Sequence, residues 1–165
     1  MYKRNLNYIN WVEMQHGQRF QNERKLLTPL HEAYIPKVGC SIYRLKPGKR
    51  AFPLHEHLAN DEAILITRGV GVLQYGEDEI ALIEGDYIHL PAASGRAHHM
   101  INSGETVLEY ICISSMLSPE IVKYPESNKL GAMSYVAPAD GETRSRMVTF
   151  LRHEPVEYWD GEAGE

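Results

Sequence analysis

Two histidines one residue apart, His55 and His57, are followed by Asp61 and Glu62, and a further pair, His98 and His99, stands later in the chain. Imidazole nitrogens and carboxylate oxygens are the donors of transition-metal sites, and one ion needs several of them brought to a point. In an extended segment alternate residues share a face, so His55 and His57 project together. Glu62 opens the next strand-like run across a short turn, with Ile64 and Ile66 on its side, an apolar surround that suits metal binding. Taken by itself this half also reads as a solvated turn in which Glu56, Asp61 and Glu62 face water. His98 begins another run, with Met100 and Asn102 on the same face and His99 directed the other way, to the surface or behind the ligands. It completes a set of three histidines and one carboxylate.

The elements that must position these groups are strands. "VGCSIYRL" (38–45), "AILIT" (63–67), "VGVLQYG" (70–76), "EIALI" (79–83), "DYIHLP" (86–91), "HHMIN" (98–102) and "VLEYICIS" (107–114) are short and rich in β-formers. Turn residues separate them, among them Pro47-Gly48, Arg68-Gly69 and Glu84-Gly85-Asp86. Short strands at near-regular spacing predict an all-β, antiparallel sandwich or barrel. Weak helical character is confined to "LSPEIVKY" and the N-terminal region. The flanks hold six of the nine prolines, so the reading divides the chain into an N-terminal arm (1–37), a barrel core (38–114) and a C-terminal arm (115–165) whose last residues are mobile.

Composition narrows the function classes. The 165 residues suffice for one domain with its own core, and the formal net charge is −5. No basic run exceeds two residues, which argues against nucleic acid as a partner. No apolar run approaches the roughly 18 residues that span a bilayer. Cys40 and Cys112 lie far apart in apolar runs and read as buried thiols, so a cytoplasmic protein is expected.

At this point the sequence resembles the cupin superfamily. Gly48, His55, His57, Glu62 and Gly69 match its first motif, with one extra residue between Gly48 and His55. Gly85, Pro91, Gly95, His98 and Asn102 match its second, with two extra residues between Pro91 and Gly95. Both departures fall in loops and leave the ligand spacings intact. The flanking "WVEMQHGQRF", "YPESNK" and "EPVEYWDGE" are similar to segments of small bacterial single-domain cupins, some with only a general label of sugar-phosphate isomerase. The resemblance implies a double-stranded β-helix, or jelly-roll, cupin barrel with the arms packed on it or on a second copy. It implies one divalent metal ion held by His55, His57, Glu62 and His98. Such a mixed set suits iron, manganese, nickel, cobalt or zinc.

Three functions follow from that resemblance. The first is a metal-dependent isomerase acting on a small sugar or sugar phosphate. The others are a non-heme iron dioxygenase and a non-catalytic sensor of a small ligand. An isomerase needs an acid or base near the metal, for which Tyr75, Tyr87, His89 and Glu109 are the candidates; a shift of one residue sends each to the opposite face. A phosphorylated substrate calls for a guanidinium, and Arg44, Arg50 and Arg96 lie in or beside the motifs. "YPESNK" (124–129) reads as a turn of the arm that either caps the barrel or meets a partner. A homodimer is expected, since cupins pair barrels through edge strands.

Overall fold

The computed structural model describes residues 3–29, 36–136, 145–152 and 155–161. Strands dominate: β1 (Val12–His16), β2 (Phe20–Leu26), β3 (Val38–Leu45), β4 (Glu56–His57), β5 (Glu62–Arg68), β6 (Val70–Tyr75), β7 (Asp78–Ile83), β8 (Tyr87–Leu90), β9 (His98–Ile101), β10 (Leu108–Ser115), β11 (Glu120–Tyr124), β12 (Lys129–Val136) and β13 (Ser145–Leu151). The seven strands expected between 38 and 114 are all present, and six more appear among the described residues.

The strands form three antiparallel sheets, ordered β1-β2-β3-β10-β5-β8, β7-β6-β9 and β13-β12-β11-β4. Bridges from Arg50 to Ile101 and from His55 to His98 tie the segment leading into β4 onto β9, so the two smaller sheets run on from one another. Together they face the six-stranded sheet. Leu45, Ile64, Ile66, Leu90, Leu108 and Tyr110 on one side meet Leu73, Leu82 and Met100 on the other in one buried cluster. Alternation along β5 shows why: Ile64 and Ile66 are buried while Leu65 between them is exposed, the two-residue period of a half-buried strand. This is the jelly-roll arrangement of a double-stranded β-helix.

Two glycines are needed for backbone reasons. Gly69, between β5 and β6, has φ +84°, and a Cβ there would stand 2.6 Å from the Val107 carbonyl oxygen. Gly95 has φ +74° and donates its N–H to the Glu56 carboxylate at 2.6 Å, which pins the loop before His98 to the histidine pair. The motif asparagine is structural. Asn102, fully buried, donates to the carbonyls of Leu45 and Thr106 at 2.8 Å each and accepts from Gly104 N–H at 2.9 Å.

The flanks depart from expectation. Among the described residues of the N-terminal region, the helical character reduces to a 3-10 turn at Leu6–Tyr8, after which β1 and β2 extend the six-stranded sheet through β3. The segment "LSPEIVKY", expected to be weakly helical, instead ends in strand β11, hydrogen-bonded to β4 and β12. Cys40 and Cys112 are free thiols. The mobility expected of the last residues concerns "DGEAGE" (160–165), of which 162–165 lie outside the described residues.

Candidate metal centre

Each ligand candidate reaches the same point from a different element. His55 precedes β4, and its backbone exchanges two hydrogen bonds with His98 of β9, at 3.1 and 2.7 Å. Glu62 is the first residue of β5, across the short turn from His57. The rings of His55 and His98 lie 4.5 Å apart, and those of His55 and His57 5.1 Å apart. His98 Nε2 stands 3.1 Å from Glu62 Oε2, and His57 Nε2 3.7 Å from Glu62 Oε1. The ligand atoms of His55, Glu62 and His98 all fall within 4.8 Å of one another, and His57 stands at the margin of that group.

The donor set fits a divalent transition-metal ion. Ligands at about 2.1 Å from one ion sit roughly 3.0–3.5 Å from each other; the His98–Glu62 separation of 3.1 Å falls in that range, and the His57–Glu62 separation of 3.7 Å lies just beyond it. Burial first, and then the neighbouring His98, pull the His55 imidazole down to about 3, so it is neutral near pH 7. Burial alone would raise Glu62; the hydrogen bond from His98 and the surrounding imidazoles outweigh it and hold the carboxyl at about 2. The site thus offers a neutral nitrogen and an ionised oxygen, the forms that bind metals.

His55, His57 and Glu62 form part of the wall of a pocket of about 300 Å³, within the range of small-molecule sites. Around it stand Arg24, Tyr43, Phe52, Cys112, Glu120 and Tyr124. Tyr43 stacks on Tyr110 at 5.3 Å and meets Phe52 edge-on at 5.5 Å. Tyr124, at the head of "YPESNK", stacks 6.1 Å from His55. The Cys112 thiol, 3.7 Å from Glu62 Oε1, is pushed well up by burial and by that carboxylate, so it stays protonated.

The other expected site residues are placed elsewhere. Tyr87 and His89 are exposed on β8, alternating with inward Ile88 and Leu90. Glu109 faces away from inward Leu108 and Tyr110 and pairs with Arg44 at 2.7 Å, the Arg44 guanidinium lying 4.0 Å above the Trp11 ring. Tyr75 packs on the core with Arg96 stacked on its ring at 4.1 Å. Arg96 also donates to the Tyr75 carbonyl at 2.6 Å and pairs with Asp78. Arg50 donates to His99 Nε2 at 3.2 Å, and His99 is only 1% exposed. None of these seven lines the pocket.

Three pocket residues carried no sequence signal. Arg24 lies in a charged run of the N-terminal flank, Tyr43 is one of several strand tyrosines, and Glu120 sits where a helix was read. The signal that would have found Tyr43 is its two-residue offset from Leu45 and Ser41 along an inward strand face.

Comparison with known proteins agrees with this geometry. Residues 41–114 match the Cupin domain family. The sugar phosphate isomerase structure from Silicibacter pomeroyi superposes with a TM-score of 0.73 at 19% identity, over 95% of this chain and 98% of that one. A candidate sugar phosphate isomerase from Acidithiobacillus ferrooxidans gives 0.69 at 21% identity, over 89% and 87%. Quercetin 2,3-dioxygenase of Bacillus subtilis is 30% identical over 95 residues, 57% of this chain; the match spans only 28% of that relative's length. Among the described residues no helix is long and apolar enough to cross a membrane. The paired motifs and the core of the jelly roll thus fall in the segment, residues 41–114, that matches the Cupin domain family.

Proposed function

We propose that this protein is a metal-dependent isomerase of a small sugar or sugar phosphate, with His55, His57, Glu62 and His98 holding one divalent ion of iron, manganese, nickel, cobalt or zinc. The observation that carries the reading is the convergence of His55, Glu62 and His98 ligand atoms within 4.8 Å, with His55 and Glu62 in the wall of a pocket large enough for such a substrate. A bound ion supplies Lewis acidity toward a carbonyl or hydroxyl oxygen. The chain's own groups supply the rest. Burial raises the Tyr43 hydroxyl, which therefore keeps its proton at neutral pH and is assigned here to proton transfer at the substrate. Arg24, within hydrogen-bonding reach of that hydroxyl, has no carboxylate partner among the described residues and suits a phosphate. The Tyr43, Phe52 and Tyr110 rings exclude water from one side.

A second reading, an oxygen-using dioxygenase, is favoured by the 30% identity to the Bacillus subtilis enzyme. The homodimer also belongs to the proposal: Leu65, Tyr87 and Ile113 stand exposed on the outer side of the six-stranded sheet, which ends at β8.

The test begins with elemental analysis of protein purified without added metal, beside His55→Ala and His98→Ala. Wild type is expected to retain stoichiometric transition metal and both variants to lose it. Metal-loaded protein is then incubated with pentose and hexose phosphates in D2O, with proton NMR following exchange at the carbon beside the carbonyl. Equal metal in all three proteins ends the metal reading. Metal without exchange ends the isomerase, and oxygen uptake with a polyphenol would move the assignment to the dioxygenase.

A further inference from the structure

Imidazoles ligate one ion only when each turns an unprotonated nitrogen toward it, and the partner of the opposite ring nitrogen decides which nitrogen that is. For His55 the partner is the Pro53 carbonyl, 2.8 Å from Nδ1, which leaves Nε2 for the ion. For His57 the group facing Nδ1 is the carboxylate of Glu120, at 3.6 Å, while Nε2 faces Glu62 at 3.7 Å. Glu120 belongs to β11, outside the matched segment 41–114.

Nothing in packing explains a carboxylate there. Glu120 is 4% exposed at an inward strand position where an aliphatic side chain would sit without desolvation cost. It is satisfied instead by donors from the turn between His57 and Glu62. One oxygen accepts from Leu58 N–H at 3.0 Å and Ala59 N–H at 3.2 Å, and the other accepts from the Asn60 amide. Asn60 in turn accepts from Ser115 Oγ at 3.1 Å and Leu117 N–H at 2.6 Å. Next to it, β11 pairs with β4 with Val122 opposite His57.

We propose that Glu120 is a positioning residue for His57. It holds the imidazole with its proton on Nδ1 and Nε2 directed at Glu62, and it fixes the turn that sets the distance between those two ligands. What His57 then does rests on the metal reading above; its tautomer does not.

Two measurements separate the claims. Long-range nitrogen–proton NMR of the metal-free protein is expected to find the His57 proton on Nδ1 in wild type, and a shift toward Nε2 in Glu120→Gln. Titration with Co(II), followed by its visible absorption, is expected to weaken about 10- to 100-fold in Glu120→Gln. Asn60→Ala removes a partner of Glu120 without removing the charge facing His57, so its Co(II) affinity should stay within a few-fold of wild type. The proposal is overturned by a wild-type tautomer with the proton on Nε2, or by Glu120→Gln matching wild type in tautomer and spectrum. It is also overturned if Asn60→Ala loses as much affinity as Glu120→Gln, which would make the role one of packing. A wild type with the Nδ1 proton that binds no Co(II) supports the positioning and sinks the metal reading. Should Glu120→Gln fail to fold, the wild-type tautomer and Asn60→Ala still decide.

Discussion

Burial holds the His55 imidazole neutral before any ligand arrives, and His99 shows the same effect on the far side of β9. Its imidazole is pulled down to about 4, first by burial and then by the Arg50 guanidinium, with Glu126 opposing and Arg19 reinforcing. His55 is held lower, at about 3. Both folded values lie below the ordinary 6.5 of the unfolded chain, so below that pH the unfolded state takes up protons that the folded state refuses. Stability of the metal-free protein should therefore be full above about pH 6.5 and fall as the pH drops toward 4. The contribution of His99 is on the order of 1 kcal/mol by pH 5. Thermal melts from pH 7.5 to 5 should show a shallower decline in His99→Gln than in wild type; parallel slopes would mean His99 is already protonated in the fold. The spacing of His55, His57, Glu62 and His98 was legible because strand alternation and the paired motifs act locally. The facing of Tyr75, Tyr87, His89 and Glu109 was not, since a register is settled between strands rather than within one.

Strand β11 illustrates what pattern reading misses among the elements. Leu117, Ile121 and Tyr124 recur at helical spacing, whereas the fold buries Glu120 and Val122, the alternation of a strand. The inward carboxylate broke the apolar alternation that would have revealed it, and the partners that make it tolerable, Leu58, Ala59 and Asn60, lie about sixty residues away. Strands β3 and β5 to β10 carried no such conflict and were legible. Val122 tests the assignment. It is 0% exposed and sits opposite His57 in the β11–β4 pairing. Val122→Ala should cost about 1–3 kcal/mol in urea denaturation and lower metal retention as well. Ile121→Ala, on the other side of the strand, should cost less and leave metal retention alone. If Val122→Ala weakens the fold but not metal retention, β11 supports the core and not the site.

Across the whole molecule the candidate centre is where separate sheets meet. Glu62 belongs to the six-stranded sheet, His98 to the three-stranded one, and His57, with Glu120 behind it, to the four-stranded one. Chain segments far apart in sequence are brought together there, so an ion bound by all of them adds a crosslink that the unfolded chain cannot form. Mass action sets its size: at 100 times its dissociation constant an ion that binds only the folded state stabilises by about 2.7 kcal/mol. For a chain of this length that raises the melting temperature by roughly 5–10 °C. Removing metal with a chelator should lower the melting temperature by that amount in one cooperative transition, because no sheet carries the whole site. Re-addition of the ion found by elemental analysis should restore it, and His55→Ala should melt at the chelated value with or without metal. Two separated transitions after chelation would show instead that the sheets melt independently and that the centre decorates one of them.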